Sequence, residues 1–327
     1  MNFISVIIPT YNRSNMIGIT IDSFIRQNYP KDKFEIIICD NNSTDNTKEI
    51  ILGLVQQSDV PIIYIFEKRQ GVHYARNTAF NYSKGEILYY TDDDMIADAD
   101  LLKEIIKPFS YDPRVASVTG RVLPQWEQEP PQWILDYCFN GLLSLQNRQE
   151  YLIISPYDCG VYSCHQAMRR EAFSKSGGFN PENTAGEWIG DGETGLNIKI
   201  KELGYWFGFI GSSVTYHMIP AHRMTQVYLN KRLANQGNCD SYTDYRRHVY
   251  TQQQFILRII SHIRWIGIHS LIYLVKIFLR KKSWRLNRAR IEYYLNRIRY
   301  DRRLMIDENW RKLVLKRDWL NKSKDEK

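Results

Sequence analysis

Three consecutive carboxylates, Asp92, Asp93 and Asp94, follow a short apolar run, residues 86–90, that predicts a β-strand. Like charges at the end of a buried strand repel one another, so the arrangement costs stability unless a cation lies among them. Hard divalent ions such as Mn²⁺ and Mg²⁺ take oxygen ligands and neutralise the charge that builds up on a departing diphosphate. The triplet therefore predicts a Mn²⁺ or Mg²⁺ site, with a solvated acidic turn as the alternative.

Four β-rich runs alternate with stretches of helical length in the first hundred residues. The runs are residues 4–8, 35–39, 61–66 and 86–90, and the helical stretches begin near Ser14, Asp45 and Gly71. This alternation predicts a parallel sheet built from βαβ units, so the expected fold class is α/β. Ligands of such sheets bind beyond the carboxyl ends of the strands, and those ends carry residues 9–12, Asp40 and the three aspartates.

Four segments in order along the chain carry a family resemblance. They are residues 6–13, 37–45, 71–77 and 91–94. Together with residues 167–173, 177–179 and 192–205, they closely resemble glycosyltransferase family 2 over residues 3–235. The resemblance implies a GT-A fold, which is a Rossmann-like, mostly parallel sheet flanked by helices. It also implies an inverting, metal-assisted transfer of a sugar from a nucleotide diphosphate sugar, with a UDP-sugar as the expected donor.

The resemblance assigns roles on the nucleotide side. Pro9, Tyr11 and Asp40 would line the base pocket, with Asp40 accepting a hydrogen bond from a uracil or thymine N–H. Arg76 would help to hold the nucleotide. The alternatives are turn formation and packing for Pro9 and Tyr11, and a helix-surface charge for Arg76.

The resemblance also assigns roles on the metal side. Asp92 and Asp93 would meet the ribose or the metal, and Asp94 would be the main metal ligand. His217, at a predicted strand end, would complete the metal or diphosphate site, and Arg223 would clamp the diphosphate. The alternative for His217 is a structural role.

A second acidic segment, residues 190–194, would supply the catalytic base. Inverting transfer needs one group to take the proton of the acceptor hydroxyl. The family usually has an acidic pair before a threonine, whereas this chain has Gly192 there, so the register favours Glu193 as the base, with Asp191 second. The alternative is that Asp191 or Thr194 caps a helix.

Two further residues are expected on the acceptor side. Trp188 would stack on a sugar ring, with core packing as the alternative. His165 lies in a region that faces the acceptor in related enzymes, although the family more often has an asparagine near this position. Family habit and the basic tail favour a lipid-linked or cell-surface glycan as the acceptor.

The charge of the chain is split between its two parts. Residues 1–245 carry a net charge of −7 and residues 246–327 carry +15. We expect a GT-A catalytic domain over residues 1–225 and a basic helical extension over 226–327. No nucleic acid partner is expected, because the acidic body fits catalysis and the tail fits an anionic membrane surface or an oligomer contact better.

The apolar stretch from Phe255 to Arg280 raises a membrane question. Five residues of the stretch fall within about 40° of one line of a helix: Arg258, His262, His269, Lys276 and Arg280. The longest part without Lys or Arg, residues 265–275, is shorter than the roughly 20 residues that span a bilayer. The pattern therefore favours a helix in the membrane interface over a spanning helix. A helix packed on the catalytic domain or on a dimer partner is the alternative.

Cysteine use and the N-terminus indicate the compartment. The five cysteines have no C-x-x-C spacing, so neither a disulfide framework nor a zinc site is expected. The first ten residues resemble a first strand rather than a signal peptide. We expect a cytoplasmic protein, peripheral on the cytoplasmic face of the cell membrane.

Two other classes of function fit parts of the sequence. A sugar-1-phosphate nucleotidyltransferase is also an α/β protein with acidic metal ligands, but it usually opens with a Gly-rich phosphate loop, where this chain has residues 9–13. A non-catalytic scaffold that binds nucleotide sugars is less favoured, because the aspartate triplet and Glu193 are both present.

Overall fold

The computed structural model describes residues 2–137, 140–181, 183–184 and 186–320. The strands are β1 Ile4–Thr10, β2 Phe34–Asp40, β3 Ile62–Phe66, β4 Ile87–Thr91, β5 Met95–Ala97, β6 Val115–Trp126, β7 Leu152–Ser155, β8 His165–Arg169, β9 Asn183–Thr184, β10 Glu187–Trp188 and β11 Trp206–Ile219. The helices are α1 Ile17–Ile25, α2 Thr47–Gln57, α3 Val72–Phe80, α4 Leu101–Ile105, α5 Pro108–Tyr111, α6 Gln132–Tyr137, α7 Arg170–Ser176, α8 Gly192–Glu202, α9 Gln226–Arg247, α10 Gln252–Phe278, α11 Trp284–Ile306 and α12 Glu308–Leu315.

The main sheet is mixed, and its longest ladders are parallel. Its order is β3-β2-β1-β4-β8-β6-β11-β5, and β7 pairs with β11. β1 is parallel to both β2 and β4, and β2 is parallel to β3, as the βαβ pattern predicts. Beyond β4 the directions are mixed: β8 is antiparallel to β4 and β6, β6 is parallel to β11, and β5 and β7 are antiparallel to β11. The α/β class is confirmed, and the parallel arrangement holds for the first four strands.

Apolar cores cover both faces of this sheet. Val6 and Ile8 of β1 pack in one core with residues of α1 and α2, whereas Ile7 packs in a second core with α3 and α7. Since neighbouring side chains of a strand point to opposite faces, burial on both faces requires the uninterrupted apolar runs seen in the sequence.

The chain after residue 225 forms helices α9 to α12, in agreement with the predicted helical extension. α11 packs against both α9 and α10. The segment after α12 returns to the sheet domain, where the Trp319 N–H donates to the Gly177 carbonyl at 2.8 Å and Lys199 Nζ donates to the Arg317 carbonyl at 3.2 Å. The extension is therefore tied to the α/β part at its far end as well as at its start.

Candidate active site

A cleft of about 940 Å³ opens at the carboxyl ends of β1 and β4. Most of the side chains that the sequence places around a ligand line it: Pro9, Tyr11, Arg76, Asp92, Asp93, Asp94, Trp188, Glu193, His217 and Arg223. The other three, Asp40, His165 and Asp191, lie elsewhere in the described part of the chain. Folding thus brings together residues that are more than two hundred positions apart.

Asp93 is buried on the β1 side of the triplet. Its Oδ2 accepts a hydrogen bond from Thr10 Oγ1 at 2.8 Å, and Arg13 Nε lies 3.5 Å from its Oδ1. Burial and the charge of Asp94 raise the pKa of Asp93 to about 7. The sequence predicts electrostatic repulsion between adjacent carboxylates, and this repulsion appears in the structure as the raised pKa of Asp93.

Asp94 lies against His217 and Arg223 on the opposite side. Arg223 Nη2 donates to Asp94 Oδ2 at 2.8 Å, and His217 Nε2 is 3.6 Å from the same oxygen. Burial alone would raise the pKa of Asp94, but the positive charges beside it, those of Arg223 and Arg13 among them, outweigh it and hold this pKa below its ordinary value. Asp94 is therefore ionised and can bind a cation.

The hydrogen bonds of His217 determine which ring nitrogen carries the proton and which carries a lone pair. Nδ1 lies 2.8 Å from the Leu143 carbonyl oxygen, which only an N–H can satisfy. Nε2 lies 2.7 Å from Arg223 Nη1, which is a donor. His217 thus presents an Nε2 lone pair beside the Asp94 carboxylate, the form in which imidazole binds metals.

This pair of groups fits a divalent ion at a nucleotide site. Across the residues that the structure describes, no group of three or more His, Cys, Asp or Glu side chains could hold a metal ion. Asp94 and His217 are the two predicted metal ligands, and the structure places His217 Nε2 3.6 Å from Asp94 Oδ2. Such an ion is commonly held by one or two protein groups together with phosphate oxygens and water.

A chain of hydrogen bonds joins the triplet to the second acidic site. The buried Arg76 donates from Nη2 to Asp92 Oδ1 and from Nη1 to Ser163 Oγ, the latter at 2.8 Å. Ser163 Oγ in turn donates to Glu193 Oε2 at 3.3 Å. Arg76 therefore positions two acidic groups from beneath the cleft. Ser163 was missed in the sequence because it is a single serine outside any motif.

His73 supports this arginine from the same helix, α3. Its Nδ1 is 3.2 Å from Arg76 Nη1, and its ring stacks on Phe179 with centroids 4.9 Å apart. Complete burial and the positive charge of Arg76 lower the pKa of His73 to about 3. The ring is therefore neutral and can accept a hydrogen bond from Arg76.

The two candidate bases lie in different surroundings. Glu193, in the first turn of α8, lines the cleft. Asp191 is buried, and its oxygens accept hydrogen bonds from Asn180 Nδ2 at 2.9 Å and Thr243 Oγ1 at 2.7 Å. It makes no side-chain cap on α8. Asp191 is therefore the residue at which α8 begins, but its carboxylate joins the α8 loop to α9 and does not line the cleft.

Asp40 does not reach the cleft as the resemblance implied. It is buried at the end of β2, where Oδ1 accepts from the Ser43 N–H at 2.9 Å and Oδ2 accepts from the Tyr64 hydroxyl at 2.8 Å. Both oxygens are therefore already used to hold the turn after β2 and the neighbouring strand. Of the predicted base-pocket residues, Pro9 and Tyr11 line the cleft.

His165 is also displaced from its expected role on the acceptor side. It is fully buried at the start of β8, with Nδ1 2.6 Å from the Tyr89 hydroxyl and Nε2 3.3 Å from the Ser213 carbonyl oxygen. Burial lowers its pKa to about 4. His165 is thus a neutral core residue, whereas Trp188 does line the cleft, with Nε1 donating to the Gly190 carbonyl at 2.8 Å.

One wall of the cleft comes from α9, which the sequence assigned to the basic extension. The residues that contribute are Tyr228, Arg232, Asn235, Gln236 and Cys239. They recur at helical spacing, and from the sequence alone this spacing predicts only an ordinary amphipathic helix. Their place on the cleft follows from the packing of α9 and not from any local motif.

Comparisons with known proteins agree with this geometry. The model of the family described as Glycosyl transferase family 2 matches residues 5–177. Glycosyltransferase AglE of Haloferax volcanii is 41% identical over 28% of this chain and 30% of its own length. A Methanococcus voltae enzyme is 34% identical over 37% of this chain and 39% of its own length; it is named dolichyl N-acetyl-alpha-D-glucosaminyl phosphate 3-beta-D-2,3-diacetamido-2,3-dideoxy-beta-D-glucuronosyltransferase. The chain thus spans between 30% and 39% of the length of these two curated relatives.

A solved structure shares the fold over most of the chain. Mannosyltransferase PcManGT from Pyrobaculum calidifontis superposes with a TM-score of 0.63 and 19% identity, covering 94% of this chain and 88% of its own. The protein therefore has the GT-A fold. By the family match over more than half of its residues, the chain belongs to glycosyl transferase family 2.

Proposed function

We propose that the protein is an inverting glycosyltransferase in which Glu193 takes the proton of an acceptor hydroxyl. The acceptor oxygen attacks the anomeric carbon of the sugar on the face opposite the departing nucleotide diphosphate. The observation that carries this proposal is that Glu193 and the aspartate triplet line one cleft and are joined through Ser163 and Arg76. A single positioned carboxylate is sufficient as a general base.

The diphosphate would be held on the Asp94 side of the cleft. A Mn²⁺ or Mg²⁺ ion bound by Asp94 and His217 would supply Lewis-acid stabilisation of the charge on the leaving group. Arg223, which already contacts both side chains, would donate to the diphosphate oxygens. In support, PcManGT was solved in complex with GDP-Man and Mn²⁺.

The donor is proposed to be a UDP-sugar, on the basis of the family resemblance. Since the carboxylate of Asp40 is enclosed, the base would be met chiefly by Tyr11, which is 45% exposed and can stack on a planar ring. Asp92 and Asp93 remain the proposed contacts to the ribose or the metal.

The acceptor is proposed to be a lipid-linked or cell-surface glycan, reached from the cytoplasm. The name of the Methanococcus voltae relative specifies a dolichyl-linked sugar phosphate as its acceptor. Succinoglycan biosynthesis protein ExoM of Rhizobium meliloti, 24% identical over 72% of both chains, is named for polysaccharide synthesis. Trp188 and the α9 wall line the same cleft as Glu193, which supports an acceptor site there.

Paired substitutions at the two neighbouring acids test the assignment of the base. Glu193→Gln should lower kcat by roughly 10²- to 10⁴-fold while leaving Mn²⁺-dependent binding of the donor nucleotide unchanged. Asp191→Asn is the matched control, since it should lower the thermal midpoint but leave turnover of the folded enzyme near wild type. Turnover is measured with UDP- and GDP-sugars and a panel of glycan acceptors.

Two outcomes would contradict the proposal. Full activity of Glu193→Gln together with an inactive, folded Asp191→Asn would make Asp191 the base. Release of pyrophosphate from a nucleoside triphosphate and a sugar 1-phosphate would instead show a nucleotidyltransferase.

A further inference from the structure

Four polar residues of α10, Arg258, His262, His269 and Lys276, face the protein. Arg258 Nε lies 3.1 Å from Asp301 Oδ2 of α11, and His262 Nε2 lies 3.2 Å from the same oxygen. One end of the helix is therefore fixed by a buried ion pair. The line of polar residues that the sequence shows on α10 is an internal contact.

The same arrangement continues along the second half of α10. Asn287 of α11 contacts both His269, at 3.0 Å, and Lys276, at 2.9 Å. Trp265 and His269 stack in the same contact with Tyr294 of α11. α10 is thus held against α11 by polar and aromatic contacts over most of its length.

The opposite side of α10, which we call the outer face, is apolar and exposed. Its members are Ile256, Leu257, Ile260, Ile263, Leu271, Leu274, Val275 and Phe278. Leu257 is 65% exposed and Phe278 is 85% exposed. These residues extend over a helix of 27 residues, or about 40 Å. A helix of a soluble protein normally has the reverse orientation, and a continuous apolar surface of this size marks an interaction site.

α10 has the length and composition of a membrane-spanning helix. Its contacts argue against spanning, because α11 is hydrogen-bonded to it along its length and would have to enter the bilayer with it. α11 carries many arginines: Arg285, Arg288, Arg290, Arg297, Arg299, Arg302 and Arg303. Charged side chains at the bilayer centre are costly, so the helix pair fits the surface of a bilayer better than its interior.

The charges around the outer face favour an anionic partner. Residues 245–291 contain eleven Lys or Arg and no Asp or Glu. Arg264 lies on the outer face, and Arg280, Lys281 and Lys282 are exposed where α10 ends. A second copy docked through the same face would bring one cationic surface against another, whereas an anionic lipid surface is complementary to it.

We propose that the outer face of α10 docks the enzyme on an anionic lipid bilayer, with α10 lying in the plane of the interface. The apolar side chains enter the boundary between headgroups and acyl chains, and the basic residues at the end of α10 contact lipid phosphates. This docking is separate from catalysis, and in the part that rests on the proposed function it holds the enzyme on the surface on which lipid-linked substrates reside.

Vesicle co-sedimentation of the full chain tests the proposal. The probes are vesicles of phosphatidylcholine alone and vesicles that also contain phosphatidylglycerol. Wild-type protein should bind the anionic vesicles at least about tenfold more tightly, with the difference reduced by added salt. Leu257→Glu/Leu271→Glu should weaken this binding at least about tenfold, because each substitution places a charge in the apolar boundary.

A matched control separates the outer face from net charge. Ile19→Glu/Leu52→Glu makes the same charge change at exposed apolar residues of α1 and α2, and it should bind anionic vesicles like wild type. Equal loss in both double variants would overturn the proposal, as would failure of the wild-type protein to bind anionic vesicles.

Two further measurements keep the outcome decisive. Arg280→Glu/Lys281→Glu/Lys282→Glu should weaken binding to anionic vesicles and leave binding to neutral vesicles unchanged. This triple variant keeps the apolar residues of the outer face, so it tests the proposal even if the double variant does not fold. Sedimentation velocity tests the second copy as the occupant. A wild-type dimer that Leu257→Glu/Leu271→Glu dissociates without altering vesicle binding would overturn the proposal.

Discussion

The cleft and the α10–α11 pair handle charge in opposite ways. In the cleft, Asp93 and Asp94 lie side by side beside Arg13 and Arg223, and all four side chains line a cavity that is open to a ligand. Between α10 and α11, Asp301 is enclosed by Arg258 and His262, so its charge is satisfied within the protein. The first region leaves polar groups available for a ligand, and the second leaves an apolar surface available for a bilayer.

The largest expected effect comes from removing the cation-accepting carboxylate of the cleft. Asp94→Ala should lower kcat/KM by at least about 10³-fold, or about 4 kcal/mol of transition-state stabilisation. It should also abolish the rise in thermal midpoint that Mn²⁺ and nucleotide together produce, since binding stabilises the native state by mass action. Asp32→Ala, at an exposed surface acid, is the control. Wild-type turnover in Asp94→Ala would show that the enzyme does not need a metal ion bound by this carboxylate.

The second prediction concerns the charge that is satisfied internally. Asp301→Asn should lower the free energy of unfolding by about 3 kcal/mol, because it leaves Arg258 and His262 without their buried anion. Asp244→Asn removes a more exposed partner of the same arginine and should cost about 1 kcal/mol. Urea denaturation of the two variants provides the comparison. An unchanged free energy of unfolding in Asp301→Asn would mean that the polar contacts do not fix α10.

The third prediction concerns the pH dependence of stability, which we expect to differ between the surroundings of the cleft and the α10–α11 pair. The pKa of His73 in the folded protein is about 3, below the ordinary 6.5, so only the unfolded chain takes up a proton between these values. The stability due to the neutral ring is thus present above pH 6.5 and is lost as the pH falls. The contribution of His73 to the free energy of unfolding should therefore fall by up to about 2 kcal/mol between pH 6.5 and 5, measured as the difference between wild type and a variant that lacks this ring.

His73→Asn tests the source of this slope. It keeps an acceptor for Arg76 but removes the titrating ring, so the dependence on pH between 6.5 and 5 should flatten. The pKa of Asp301 is lowered by His262 and Arg258 despite burial, so the loss from the α10–α11 pair begins only below the ordinary 3.8 of an aspartate. An unchanged slope in His73→Asn would assign the acid loss to other groups.

Much of the α/β part could be predicted, because its signals are local. Uninterrupted apolar runs located β1 to β4 within a few residues, and the polar residues after β1 and β4 marked the edge where the cleft lies. The second half of the sheet could not be read in this way. The directions of β5 to β8 and β11 depend on long-range pairing, and the segments between them carry few periodic signals.

The sequence by itself determined the family, the acid-rich strand end and the alternation of faces on α10. The tertiary structure decided which of these groups meet. Asp191 and Glu193 are two positions apart at the start of one helix, yet Asn180 and Thr243 draw the first into the core while the second faces the cleft. Likewise, a helical repeat separates the polar and apolar sides of α10, but only the partners on α11 determine which side faces inward. A buried charge must find its counterion, and the position of that counterion is a property of packing.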